Sequence, residues 1–498
     1  MATGNNTLHL SAMDQNIVRV YTQTLLLFPF PDGNHAEEAI TALVNGLKDT
    51  LKQFPFLAGT LKLAELGKLC LSYPTEIPDP METAIFATKN VPLGPEFPHT
   101  YEQLKEKGMP PSAFMPEIFC PDDLRRYCGM PPNAEGIVDC SVDPVPVLRV
   151  QANFIPGGLV LSMYFHHSVM DCSGVNIVWT TYARNISNIS QFRQSKVAGL
   201  PELSIRLDES ERRQALDQRA QTPSYATQAE AEAYCKGTYK YEPTLPLTNT
   251  PCSIRYFVIP AQRMREYREK LKRHFPEGPQ PTICNILAAL VWIHVTRARA
   301  ARLPNCKEKE TRIGVATDLR RRSNPKMVED DYMGNMALFS TGALKIADVV
   351  AGDRVTEETV THTVRTIKRI INKVDNDWVL RHLSFFASID EIKDTECALG
   401  FRFGLDMYIT SWMNFGGDIE WGIPGTDLTG LGLHGRPDYI RRTYGPSDGG
   451  MMVLPRRRHL VNGEEAPYEV MVRLASVDME RLLNEPNGLS SWAERVID

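Results

Sequence analysis

The chain has 498 residues, too many for one hydrophobic core, so at least two large domains are expected. Its 43% apolar and 23% charged residues are ordinary globular values, which exclude a disordered chain or a fibre. A formal net charge of −5 excludes a general nucleic-acid binder, which needs a basic surface.

The first residues show neither a basic start nor the apolar stretch of a secretory signal, and no run reaches the roughly 18 to 20 apolar residues of a membrane helix. The ten cysteines are scattered without metal-type spacing and read as reduced thiols. A cytoplasmic protein with no membrane partner is the expectation.

In chain order, residues 17–29 are apolar and rich in β-formers, and predict a strand. Residues 36–54 place Ile40, Leu43, Leu47 and Leu51 on one helical face. A turn at Phe56, Leu57, Ala58 and Gly59 leads to a short strand near residues 61–63. The proline-rich stretch 74–146 reads as loops and short helices. Residues 147–154 and 158–165 form a strong pair of strands around the turn Ile155, Pro156, Gly157, Gly158. The second strand runs into His166 and His167, and a helix is expected from 174 to 186. The histidines thus lie where a strand has ended and a helix has not begun, a place where side chains are rigidly held yet reachable.

Residues 191–248 are polar and read as a linker with an amphipathic stretch at 208–220. Strand 252–260, helices 261–274 and 282–299, and strand 313–316 follow. Further strands are expected at 406–412, 451–455 and 468–474. The expected division is a first domain over 1–190, a crossover linker over 191–250 and a second domain over 251–498.

His166, His167 and Asp171 form the only tight imidazole–carboxylate cluster in the sequence. A zinc site is one reading, because His167 and Asp171 are four apart, but no second cluster supplies further ligands. A pair of packed histidines is the second. The third is a general base: an unperturbed histidine titrates near pH 6.5, so its neutral form can take a proton from an alcohol or amine. Two other patterns mislead. Gly445, Pro446, Ser447, Asp448 and Gly449 match the hydrolase elbow, but a proline precedes the serine and a β-like run follows. Gly430 to Gly435 match GxGxxG, but Pro437 follows where a crossover helix should start. Asp418 and Glu420 could pass for a glycosidase pair, yet two acids in a glycine-rich loop are more simply solvated.

Several segments together resemble one family. They are the HHxxxD ending in Asp171; Thr410, Ser411 and Trp412 followed by Asp418, Ile419, Glu420, Trp421 and Gly422; Asp318, Leu319 and Arg320 followed by Tyr332 to Asn335; and the Leu57, Ala58, Gly59 turn. In this order they are similar to the BAHD (HxxxD-type) acyltransferases, and most to the fungal branch that includes the trichothecene 3-O-acetyltransferases. The resemblance implies an α/β fold of two chloramphenicol-acetyltransferase-like sandwich domains with a solvent channel between them. It implies a monomer that uses acetyl-CoA or another acyl-CoA as co-substrate, with no permanent cofactor and no metal. The acceptor would be the hydroxyl of a small secondary metabolite.

It also implies roles. His167 would be the base, Thr410 and Trp412 would meet the oxyanion, and Asp171 would point away from the base and pair with an arginine, for which Arg320 is the candidate. Asp418, Trp421 and Gly422 would be architectural. The sequence departs from the family's DFGWG at Ile419 and Glu420, which leaves the coenzyme contacts open. A condensation-type enzyme acting on carrier-bound thioesters and an inactive ligand-binding homologue are the alternatives.

Overall fold

Gly157 sets the central hairpin. It lies at φ 79°, the left-handed region that glycine takes without steric cost, and with Pro156 it forms a two-residue loop. Strands Leu148–Ile155 and Gly158–His166 pair antiparallel from Ile155–Gly158 down to Leu148–Phe165. Both are almost wholly buried, which explains their near-continuous apolar run. The computed structural model that shows this describes residues 5–127, 130, 136–189, 208–221, 233–237, 239–303, 305–392, 397–426, 435–458 and 464–498. The GxGxxG match lies outside the described residues except at its edge, Gly435.

The hairpin is the middle of a five-stranded sheet ordered Tyr439–Arg441, Tyr21–Pro29, Gly158–His166, Leu148–Ile155, Phe86–Asn90. Helices Ala36–Gln53 and Cys172–Ile189 pack against it. Leu43, Leu47 and Leu51 are fully buried there with Trp179, Tyr182 and Ile186. The two helices touch at Gly46, where a Cβ would stand 2.6 Å from the Ile186 side chain, so a larger residue would force them apart. A four-stranded sheet, Asn5–Leu8, Leu69–Pro74, Thr60–Leu63, Val145–Pro146, flanks this unit.

The second sheet has seven strands, in the order Ala337–Lys345, Glu310–Asp318, Met407–Ser411, Gly450–Val453, Tyr468–Ala475, Cys252–Ile259, Arg495–Ile497. Helices Ile283–Ala300 and Glu357–Asn372 share a core with it. Ile283–Ala300 is the one described helix long and apolar enough to cross a membrane. It is 83% buried, and here it is the centre of that core.

Two features differ from the expected division. Helix Glu209–Ala220, inside the expected linker, buries Leu216 and Ala220 in a third apolar cluster with Met13, Tyr332 and Trp378. That cluster joins the N-terminal helix Ala12–Asn16 to helix Asn376–Ala387 of the second half. Residues 415–423 and 439–441 lie in the second half of the sequence but pack in the first core. Trp421, Ile423 and Ile440 are buried there, and Tyr439–Arg441 pairs with Leu25 to Leu27. The physical reason is that strand Tyr21–Pro29 would otherwise present an open, apolar edge.

Candidate active site

His166 ends its strand opposite Tyr21, and the His167 N–H extends the pairing by one residue, donating to the Val20 carbonyl at 2.8 Å. The chain then turns, with the Val169 N–H on the His166 carbonyl at 3.0 Å, and enters helix Cys172–Ile189 at Asp171. The two imidazoles are placed differently. His166 is fully buried, edge-on to the Tyr21 ring at 5.2 Å, and its Nδ1 faces the Ser168 N–H at 3.3 Å. Burial, then the neighbouring His167 and Arg19, push its pKa down to about 3. It is a neutral packing residue. His167 is only half-buried: its Nδ1 is enclosed and makes no hydrogen bond among the described residues, which leaves Nε2 as the nitrogen that reaches solvent.

Asp171 does not touch either ring. Arg320 grips it with two bonds, Nη1 to Oδ2 at 2.8 Å and Nη2 to Oδ1 at 3.0 Å. The backbone N–H groups of Ser173, Gly174 and Met336 also donate to it, at 3.0, 3.1 and 2.9 Å. Burial alone would push this carboxyl up, and the Arg320 charge with these donors more than reverses that, so it stays below the usual carboxylate range. Arg320 is itself fixed by the Tyr332 and Gly334 carbonyls. The pair therefore clamps the loop of the first half to the Tyr332–Asn335 turn of the second.

Thr410 and Trp412 stand at the end of strand Met407–Ser411, two residues apart and hence on one face of the sheet. Ile409 points to the opposite face, into the second core. Trp412 packs with Tyr256, Met452 and Leu454, and the partly buried Cys172, the residue after Asp171, lies against the same cluster. The loop's C-terminal side thus packs on the apolar cluster that includes Trp412. The Trp412 backbone N–H is taken by Val453, but its indole N–H has no partner among the described residues. The Arg442 guanidinium lies 5.8 Å from the centre of the Trp412 ring.

The Asp418–Gly422 segment is elsewhere. Trp421 is fully buried behind helix Cys172–Ile189, edge-on to Tyr182 at 5.4 Å and to Phe28 at 6.2 Å. Gly422 has φ 61°, and a Cβ there would meet Ser187 Oγ at 2.8 Å. Asp418 accepts the Arg458 backbone N–H and Glu420 pairs with Arg436 at 2.9 Å, so these two acids hold a loop together and do not face a common substrate. Ser447 lies in irregular chain just before a bend whose Asp448 is buried on Arg299, at 2.8 Å. No group of three or more His, Cys, Asp or Glu among the described residues could hold a metal ion. Two cavities of the second half, of about 290 and 910 Å³, include no residue of the 166–171 loop in their walls.

The sequence of residues 134–488 matches the Transferase family, and residues 20–184 match the trichothecene 3-O-acetyltransferase-like N-terminal domain. The chain is a BAHD-type member of the Transferase family. Trichothecene 8-O-acetyltransferase of Fusarium sporotrichioides is 23% identical over 98% of this chain and 97% of its own. Among solved structures, F. graminearum TRI101 complexed with coenzyme A and T-2 mycotoxin superposes with a TM-score of 0.74 at 19% identity, covering 99% of both chains. Vinorine synthase superposes at 0.56 with 15% identity, over 97% of this chain and 95% of its own. These likenesses establish the fold, α/β with two chloramphenicol-acetyltransferase-like domains. The motifs did not point to Arg213, which donates to the Val169 carbonyl, to Asp14, which joins Arg213 to Asn335, or to Arg442 beside Trp412. For Asp14 the one signal was the Ser11-to-Asp14 spacing of a helix cap.

Proposed function

We propose that this chain moves an acyl group, acetyl in the first instance, from acyl-CoA to a hydroxyl of a small secondary-metabolite alcohol. The observation that carries this reading is the His167 ring, with one nitrogen enclosed and Nε2 accessible, on a loop clamped by Asp171 and Arg320. Nε2 takes the hydroxyl proton as the acceptor oxygen attacks the thioester carbonyl. The carbonyl oxygen gains negative charge, and the Trp412 indole N–H and the Thr410 hydroxyl are the donors on the opposing sheet that can meet it. When the tetrahedral intermediate collapses, the carbon–sulfur bond breaks and the coenzyme thiolate takes the proton from His167. Asp171 holds the loop and does not relay charge, because both its oxygens are occupied. Both sides of this site come from one chain, which supports a monomer as the working unit. The relatives' acceptors and the shared fold support an alcohol acceptor and an acyl-CoA donor.

The test is thiol release from acetyl-CoA with a panel of terpenoid, polyketide and alkaloid alcohols. His167→Ala should stay folded and lose about 10²- to 10⁴-fold in turnover. A variant that keeps half of wild-type turnover rules out the base. No thiol release by the wild type from acetyl-CoA and other acyl-CoAs, with any acceptor, points instead to a carrier-bound donor or an inactive homologue.

A further inference from the structure

The 166–171 loop has a second anchor, separate from the Asp171–Arg320 clamp. The carbonyl of His167 accepts from Asn335 Nδ2 at 2.8 Å, and the carbonyl of Val169 accepts from Arg213 Nη2 at 3.0 Å. Neither carbonyl belongs to a strand or helix, so each depends on a side chain for its bond. Both donors converge on one carboxylate. Asp14 Oδ1 accepts from Asn335 Nδ2 at 2.8 Å and from the Asn335 N–H at 2.9 Å. Asp14 Oδ2 accepts from Arg213 Nη1 at 2.7 Å and from the hydroxyl and N–H of Ser11 at 2.8 and 3.0 Å. Asp14 and Arg213 are fully buried.

The Asn335 amide can face only one way, because both groups in front of it, the Asp14 carboxylate and the His167 carbonyl, are acceptors. Its own oxygen is left buried with no hydrogen bond among the described residues. An orphaned amide oxygen is costly, so the position is kept for its two N–H bonds. Three chain segments distant in sequence, the N-terminal cap, the crossover helix and the Tyr332–Asn335 turn, thus join in one network that holds the backbone of the loop carrying His167.

We propose that Asp14 is a positioning residue: through Asn335 and Arg213 it fixes the backbone at His167 and Val169, and so the height of the His167 ring in the site. The proposal rests on the function proposed above, and the experiment separates the two. Asp14→Asn, Asn335→Ala and a control, Leu482→Ala, are compared with the wild type. Leu482 is buried in the second core, outside this network. Displacing a catalytic group by about 1 Å can cost 10²-fold in rate. Asp14→Asn and Asn335→Ala should therefore lower kcat by about 10- to 100-fold per folded molecule, with the KM for acetyl-CoA within about twofold of wild type. Leu482→Ala should lose stability and keep kcat. Hydrogen exchange over residues 166–171 should speed up in the two network variants and not in the control. If Asp14→Asn does not fold, Asn335→Ala decides, because it leaves the Asp14–Arg213 pair in place. Wild-type kcat or wild-type exchange in Asn335→Ala overturns the proposal. If the wild type releases no thiol from acetyl-CoA, the function fails alone, and the exchange measurement still decides the role of Asp14.

Discussion

Two adjacent histidines have opposite fates because one packs edge-on to Tyr21 and the other stays half-buried. The buried one makes a measurable prediction. The His166 pKa is held at about 3, whereas an unfolded histidine titrates near 6.5. Between those values the unfolded chain takes up a proton that the folded chain refuses. Stability is therefore complete above about pH 6.5 and falls as the pH drops toward 3, by at most about 1.4 kcal/mol per unit from this residue. His166→Phe, if it folds, should flatten the acid side of the stability profile. Urea midpoints between pH 4.5 and 6.5 that fall as steeply as in the wild type would show that His166 is not the cause. Trp412 can be tested at the same scale. Phe keeps the aromatic wall under Arg442 but lacks the indole N–H, so Trp412→Phe should lower kcat by about 10² to 10³ with little change in the KM for acetyl-CoA. A kcat within about threefold of wild type removes it from oxyanion binding. The HHxxxD segment was legible because all its parts lie within six residues. Arg213 was not, because its partner lies 199 positions away and a charged side chain in a polar stretch reads as solvated.

At the scale of elements, the loop between strand Gly158–His166 and helix Cys172–Ile189 holds its shape by buried ion pairing across the two halves. Removing one partner of such a pair costs roughly 3 to 5 kcal/mol. Asp171→Asn should therefore lower the melting temperature at least as clearly as it lowers turnover. An unchanged melting point with a large loss of rate would instead make Asp171 a participant in the chemistry. The pH window differs from that of His166: Asp171 is held below the usual carboxylate range, so its contribution is present above about pH 4 and is lost only as the pH falls through its lower folded value. The strand pair 148–166 and the helices at 36–53 and 172–189 could be read ahead of the structure, because buried positions repeat at the right period. Strand Ala337–Lys345 is additional. Its centre, Ser340, Thr341, Gly342 and Ala343, carries no apolar run, and only its nine-residue pairing with Glu310–Asp318 makes it a strand. The three-residue strand Tyr439–Arg441 is too short to show a period at all.

At the scale of the molecule, the first core is incomplete without the second half of the chain. Trp421 supplies one of its largest fully buried side chains, so Trp421→Ala should destabilise the protein by about 3 to 5 kcal/mol, read from denaturant unfolding. A loss below about 1 kcal/mol would show that the site collapses around the gap. Residues 1–190 expressed alone should not fold, whereas co-expression with 191–498 should recover soluble material. A folded, monomeric 1–190 fragment would contradict this. The return of residues 415–423 and 439–441 to the first core could not be read from the sequence, because their apolar side chains do not reveal which core they enter.

The strand Tyr439–Arg441 has one more consequence. Swinging the two halves apart would strip a hydrogen-bonded ladder and wet an indole, so a clamshell motion is closed to this protein. Ligands must enter by thermal displacement of side chains and short loops around a fixed frame. Small-angle scattering should then give one radius of gyration with and without acetyl-CoA, and the catalytic cycle should show no slow domain-closure phase.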